Sequence, residues 1–177
     1  MGYNTQSILR ELPREDRMAE LPDPKGKGEL KINIRYLFAM AVDIDAMRHF
    51  YSELVGMKEV SYMNDENFGW LCYQSDGFQL MFFRANSENT KPTDDWTWQP
   101  GYGGGPYEGI SWAIEYPEEE FKSTFRKMVD ADVRALWETP QWFQESYWSF
   151  PVMDPMGNTI ELFWTPSEKP PSPEWGE

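Results

Sequence analysis

A single carboxylate inside an apolar strand is the first feature of this sequence that could do chemistry. Residues 150–164 read FPVMDPMGNTIELFW, a turn followed by a strand-like run in which Glu161 is surrounded by apolar side chains. Such a carboxylate can bind a metal, contact a substrate or transfer a proton, because an apolar cleft raises the pKa of a carboxyl group. It can equally be one polar residue on a hydrated face of the strand.

The cysteine and the histidine of this sequence stand in different segments. Cys72 lies in the apolar run GWLCYQ, and His49 lies in a helix-like stretch upstream. One cysteine cannot form an internal disulfide, so nothing here requires an oxidising compartment. We interpret Cys72 as a buried structural thiol and expect His49 at the exposed edge of its helix.

The composition excludes several classes of partner. The chain has 177 residues, 40% of them hydrophobic and 16% aromatic, and its net charge is −14. A surface this acidic repels nucleic acid and anionic membranes and attracts cationic ligands. No apolar run has the length of a signal-peptide core or a membrane span. We therefore expect a cytoplasmic protein with no nucleic-acid or membrane partner.

The chain divides into an arm, a packed domain and a tail. Residues 1–30 are polar and interrupted by prolines, and residues 166–177 are Pro-rich and acidic, which predicts an extended tail. The packed domain spans 31–165. It consists of two modules, about 31–85 and 108–165, joined by the long loop 86–107. Loops of this length inside a domain are usually functional or disordered, and four aromatic residues in this one argue against simple disorder.

The first module has a β-α-β-β-β pattern. INIRYLFAMAV predicts a strand, and DIDAMRHFYSELVG predicts a helix that Asp43 or Asp45 caps and that Gly56 ends. Three short strand candidates follow, with the sequences KEVSYM, FGWLCYQ and FQLMFFRA.

The same pattern restarts after the loop. GISWAIEY predicts a strand and PEEEFKSTFRKMVDA a helix, and three strands are then predicted at VRALWE, YWSFPVM and NTIELFW. The fold class is therefore α+β, with two tandem β-α-β-β-β modules. The aromatic run WETPQWFQESYWSF overlaps these last strands, and it either closes a cleft as a lid or forms a subunit interface.

Two motifs in this order resemble those of the vicinal oxygen chelate superfamily. They are AVDIDAMRHFYSELVGMKEV at the first helix and MDPMGNTIELFW at the last strand. The superfamily contains glyoxalase I, extradiol dioxygenases, methylmalonyl-CoA epimerase and bleomycin-resistance proteins. The resemblance covers about residues 32–165. It implies two curled mixed sheets around a cleft, in which four inward side chains hold a divalent metal in the metal-dependent members.

The resemblance assigns those four ligand positions to Tyr36, Gln79, Gly109 or Ser111, and Glu161. The metal-dependent members usually have histidine at the first and third positions, and this chain has none there. Only Glu161 is a good anionic ligand for a transition metal. We therefore expect no metal cofactor. A divalent metal bound through Gln79 and Glu161 remains an alternative.

The same alignment of strands predicts an aromatic cleft. Its polar groups are Glu161, Tyr36 and Gln79. The further ligand-binding candidates are Phe38, Met40, Met81, Phe83, Ser111, Phe163 and Trp148. A lining of this kind suits a small hydrophobic, aromatic or cationic molecule. The chain is closest in character to the metal-free bleomycin-resistance branch, which implies a homodimer with clefts between the subunits.

Three functions remain open from the sequence. The first is metal-independent binding of a small molecule, of the sequestration or resistance type. The second is a lyase, isomerase or dioxygenase-type enzyme in which Glu161 and Tyr36 act as general base or acid, or which uses an atypical metal site. The third is a structural or regulatory interaction protein whose aromatic residues only fill a collapsed cavity or form a contact surface. The sequence does not name the ligand.

Overall fold

A computed structural model describes residues 35–75, 77–85, 88–99, 104–107 and 109–176. The predicted arm 1–30 and part of the loop 86–107 lie outside these residues. The described part contains two four-stranded mixed sheets, each with helical structure on one side. This arrangement confirms the predicted α+β fold of two tandem modules.

The first module forms a sheet in the order β1-β4-β3-β2, with β1 parallel to β4 and the other pairs antiparallel. Its elements are β1 Tyr36–Ala41, α1 Ile44–Arg48, a π-helical continuation at His49–Leu54, β2 Glu59–Asn64, β3 Gly69–Ser75 and β4 Phe78–Arg84.

The first helix begins and ends where the sequence predicts. The Asp43 carboxylate accepts a hydrogen bond of 2.9 Å from the amide of Ala46 and so caps the helix. Gly56 follows its end with a φ of +80°, a conformation that glycine adopts without steric cost. Helical spacing turns Met47 and Tyr51 toward the sheet, and both are fully buried. His49 is exposed, as expected.

The second module repeats the topology in the order β5-β8-β7-β6. Phe121, Phe125 and Met128 recur at helical spacing and form the buried face of its helix. The elements are β5 Trp112–Glu115, α2 Glu118–Asp130, β6 Gln141–Phe143, β7 Tyr147–Met153 and β8 Thr159–Trp164.

The predicted strand VRALWE, residues 133–138, is wrong. This segment makes only an isolated bridge between Ala135 and Val152, with a hydrogen bond of 2.9 Å on each side. The edge strand is β6, which begins later, at Gln141. Gln144 and Glu145 have φ values of 48° and 53°, and this tight turn pairs β6 directly with the start of β7. The segment 133–138 therefore contacts only the other end of β7, at Val152.

One aromatic core joins the two modules. The Tyr51 hydroxyl donates a hydrogen bond of 2.9 Å to the Asp154 carboxylate in the turn before β8. The Tyr51 ring also stacks on Trp112 of β5, with 6.5 Å between the centroids, and Phe82 of β4 lies 6.4 Å from the same indole. The helix-facing sides of both sheets therefore share one buried cluster.

The Pro-rich tail contains neither a helix nor a strand in its described residues 166–176, but it packs on the second module. The Trp175 ring lies 5.0 Å from that of Trp148, 5.7 Å from that of Phe121 and 5.8 Å from that of Phe125. The tail thus adds an aromatic layer outside α2 and β7. Among the helices of the described residues, none is long and apolar enough to span a membrane.

Candidate ligand-binding cleft

The first sheet has one face packed on its helix and one open face. On β1, Ala41 is fully buried on the helix side, whereas Tyr36, Phe38 and Met40 are 56%, 57% and 43% exposed. This alternation follows from the two-residue period of a β-strand. The neighbouring strands add Met81, Phe83 and Trp70 to the same side, in register with β1. The open face is therefore made of large apolar side chains.

All of these side chains except Trp70 line a depression of about 580 Å³. Phe83 lies at its centre, with ring centroids 6.0 Å from Phe38, 6.1 Å from Phe68 and 4.6 Å from Trp70. All three rings are tilted steeply against Phe83, which is the edge-to-face arrangement that aromatic rings prefer. The lining residues are Tyr36, Phe38, Met40, Phe68, Met81, Phe83 and Arg84. We call this depression the open cleft.

The open cleft brings together five of the residues predicted from the sequence, namely Tyr36, Phe38, Met40, Met81 and Phe83. Gln79 is half-buried beside Tyr36 in the strand register, but it does not belong to the lining. Two residues of the lining, Phe68 and Arg84, were not predicted. The available signal was their position at one end of the sheet, since Phe68 directly precedes β3 and Arg84 is the last residue of β4.

Glu161 lies on the second sheet and is 8% exposed. Its carboxylate accepts a hydrogen bond of 2.6 Å from the hydroxyl of Ser149. It also interacts with the hydroxyl of Tyr147. Burial, followed by the negative charge of Glu161, raises the pKa of Tyr147 to about 12. Glu161 is thus a buried carboxylate with two hydroxyl neighbours, and it does not line the open cleft.

The connection between the modules covers part of the face on which Glu161 lies. The amide of Thr97 donates a hydrogen bond of 3.0 Å to the hydroxyl of Thr159, two residues before Glu161. Gln99 donates a hydrogen bond to the hydroxyl of Ser111. The connection therefore covers part of this face of the second sheet, whereas the corresponding face of the first sheet is open.

The remaining predicted residues divide between the two sides of the second sheet. Phe163 is on the Glu161 side, with its ring 5.7 Å from that of Tyr147. Trp148 is 4% exposed on the other side, with its ring 5.3 Å from that of Trp142. The structure does not bring Trp148 to the open cleft.

The four positions suggested for a metal do not form a suitable donor set. The strand register places Ala113 beside Glu161, with Ser111 two residues earlier. Tyr36 and Gln79 lie on the other sheet, and the Glu161 carboxylate already accepts from Ser149. Within the described ranges, no group of three or more His, Cys, Asp or Glu side chains is placed to hold a metal ion. A divalent ion needs several such donors. These residues do not fit one.

Comparison with known proteins identifies the fold. The family model of the Glyoxalase/Bleomycin resistance protein/Dioxygenase superfamily matches residues 33–162. No curated protein matches the chain closely enough to count as a relative.

Solved structures of the same fold cover most of the chain. A glyoxalase/bleomycin resistance protein/dioxygenase from Alicyclobacillus acidocaldarius is 17% identical, with a TM-score of 0.51, over 75% of this chain and 91% of its own. A lactoylglutathione lyase from Agrobacterium tumefaciens is 16% identical, with a TM-score of 0.50, over 77% and 96%. The oxidase ChaP-H2 is 13% identical, with a TM-score of 0.56, over 77% and 96%. Similarity at this level of identity concerns the fold alone.

Proposed function

Since this chain belongs to the Glyoxalase/Bleomycin resistance protein/Dioxygenase superfamily, we propose that it binds a small hydrophobic or aromatic molecule in the open cleft without a metal. The observation that carries this proposal is the open cleft itself, about 580 Å³ in volume and lined by aromatic and methionine side chains. Ligand sites are typically concave and largely apolar, with a few polar groups that orient the ligand. Tyr36 supplies such a group at one end of the cleft.

Sequestration is favoured over catalysis by the separation of the two predicted catalytic residues. Tyr36 lies in the lining, while Glu161 is buried on the other sheet with hydroxyl neighbours. A general base must come within hydrogen-bonding reach of the proton that it removes. A ligand held against Phe38 and Phe83 meets no carboxylate among the lining residues of the cleft.

The same face supports a homodimer. A single chain exposes Tyr36, Phe38, Met40, Met63 and Phe68 on or beside one sheet, each at 43% or more. Contiguous apolar surface of this kind usually marks an interaction site. We propose that a second copy covers part of this face and leaves the cleft between the two. Analytical ultracentrifugation should then show dimers, and a chain that sediments only as a monomer would contradict this arrangement.

Binding and its independence from metal are tested together by titration calorimetry with a flat aromatic amide, naphthamide, before and after treatment with a chelator. We expect the same affinity in both samples. Phe38→Ala should weaken binding about tenfold, because a large part of the aromatic wall is removed. Phe78→Ala is the matched control, since Phe78 is an exposed phenylalanine of β4 that lies outside the cleft lining. Loss of binding on chelation, restored by a divalent ion, would show that a metal is required.

A further inference from the structure

A second cavity lies between the two modules, at the rim of the buried cluster that they share. Its volume is about 380 Å³. Apolar side chains of both modules line it, and all of those named here except Leu80 are only partly buried. We call this cavity the seam pocket. Its apolar lining includes Leu37 of β1, Leu80 of β4, Met57 before β2, and Trp112 and Ile114 of β5.

The seam pocket and the open cleft lie on opposite faces of the first sheet. Leu37 pairs with Leu80 in the strand register, and Leu80 is buried on the helix side. The next pair along the same two strands, Phe38 and Met81, lines the open cleft. Successive side chains of a strand point to opposite faces, and the two cavities share no lining residue. A ligand in one cavity therefore leaves the other accessible.

The edge of β5 presents backbone groups to the seam pocket. Among the described strands, β5 pairs only with β8. The amide of Tyr116 donates a hydrogen bond of 2.9 Å to the carbonyl of Phe163, and the register pairs Phe163 with Glu115. In a parallel ladder this pattern turns the N–H and C=O of Glu115 away from β8, and those of Ala113 likewise. Both residues line the pocket.

These backbone groups and the apolar walls determine which ligand the seam pocket suits. A backbone N–H or C=O needs a hydrogen-bond partner, and an extended peptide laid along a strand edge supplies a donor and an acceptor together. Among the described residues of the lining, none is a lysine, arginine or histidine. The two-residue period places the carboxylate of Glu115 on the opposite face of β5 from Ile114. The pocket therefore suits an uncharged ligand.

We propose that the seam pocket binds a short, neutral peptide with aliphatic side chains, which pairs with the edge of β5. One side chain of the peptide lies between Leu37 and Ile114. Ala113 and Glu115 are two residues apart, about 7 Å along the strand, so a dipeptide spans both. Ligand pockets of roughly 300–1,000 Å³ occur preferentially at interfaces between domains, and the seam pocket has such a size and position.

Titration calorimetry of the full chain with N-acetyl-leucyl-leucinamide tests this proposal. The probe has two aliphatic side chains and no charge. We expect it to bind with the same affinity in the presence of saturating naphthamide, because the two cavities share no residue. An analogue methylated on the amide nitrogen between the leucines keeps both side chains but lacks one donor. It should bind about tenfold more weakly.

Three variants locate the bound peptide. Ile114→Ala removes part of the apolar wall and should weaken binding about tenfold. Ile110→Ala is the matched control, since Ile110 is 67% exposed and lies outside the lining, and it should change nothing. Ala113→Pro removes an N–H that faces the pocket and none that faces β8, and an edge strand accepts proline at such a position. It should weaken binding at least tenfold. Urea denaturation reports whether each variant is folded.

Each outcome supports or overturns the seam pocket independently of the open cleft. The proposal fails if the leucine peptide does not bind the wild-type protein at millimolar concentration, or if naphthamide displaces it. Equal affinity for the methylated analogue, or unchanged binding by folded Ala113→Pro, would refute pairing with β5. If the peptide binds as expected and naphthamide does not bind at all, the seam pocket stands and the function proposed for the open cleft fails.

Discussion

The hydroxyl of Tyr51 and the carboxylate of Asp154 form a buried hydrogen bond of 2.9 Å between the two modules. Asp154 is 5% exposed, and burial raises its pKa, while hydrogen bonds from Asn158, Tyr51 and the amide of Met156 oppose that rise. The bond therefore stabilises a carboxylate that also organises the turn before β8. It holds the first helix against the last strand.

Tyr51→Phe should lower the free energy of unfolding by about 1–3 kcal/mol, because Asp154 loses one of its buried donors while the ring is kept. Urea denaturation measures the change. Tyr62→Phe is the matched control, since its hydroxyl bonds to Asp45 at an exposed position, and it should have the smaller effect. Equal effects of the two substitutions would show that the hydrogen bond between the modules contributes no more to the free energy of unfolding than an exposed one.

Gly157→Ala tests how the connection is attached to the second module. Gly157 has a φ of +79°, and a Cβ atom there would collide with the carbonyl oxygen of Thr93. We expect a loss of about 3 kcal/mol, from backbone strain and overpacking together. Gly56→Ala separates the two causes, since Gly56 has a φ of +80° with open space around it. It should cost about 1 kcal/mol from strain alone. Similar losses at both glycines would argue against close packing of the connection.

Tyr147→Phe should make the protein less sensitive to alkali. The phenol has a pKa of about 12 in the folded protein, and an unfolded tyrosine ionises near pH 10. Between these values the folded state keeps a proton that the unfolded state loses, so stability falls as the pH rises from about 10 to about 12. The variant lacks this component, and its unfolding free energy should fall less steeply over that range. Tyr107→Phe, on an exposed tyrosine of the connection, should follow the wild type.

Trp175→Ala should destabilise the protein by about 2 kcal/mol, because the half-buried indole contacts Phe121, Phe125 and Trp148. Thermal unfolding measures the loss. Trp98→Ala removes an indole that is 51% exposed and should cost much less. If the two substitutions have the same effect, the tail is not part of the packed structure.

Strand alternation and local caps were readable in the sequence. Phe38 lies on the open face and Ala41 on the helix face, as the two-residue period of a strand predicts. Asp43 caps the helix, and aspartate is a residue type that favours this position. The turn before the last strand was predicted, and Gly157 within it has a positive φ. These features depend on a few neighbouring residues.

The features that were missed depend on distant or unusual contacts. Gln144 and Glu145 adopt positive φ values, which neither residue type predicts. Because of their turn the edge strand is β6, where the sequence predicted 133–138. The packing of Trp175 on α2 depends on a surface that exists only after folding. The hydrogen bonds of Arg84 join it to Asn64 and Asp65, about twenty positions away in the chain.

The bond between Tyr51 and Asp154 also orders events during biosynthesis. The two residues are 103 positions apart, so at ribosomal rates Tyr51 emerges roughly 5 to 20 s before its partner exists. All strands of the first sheet have been synthesised once the chain has reached Arg84. Their pairing can therefore begin before the second module has been synthesised. Until Trp112 is synthesised, the side of Tyr51 that later meets it has no partner. The nascent chain therefore depends on the second module to complete the core of the first.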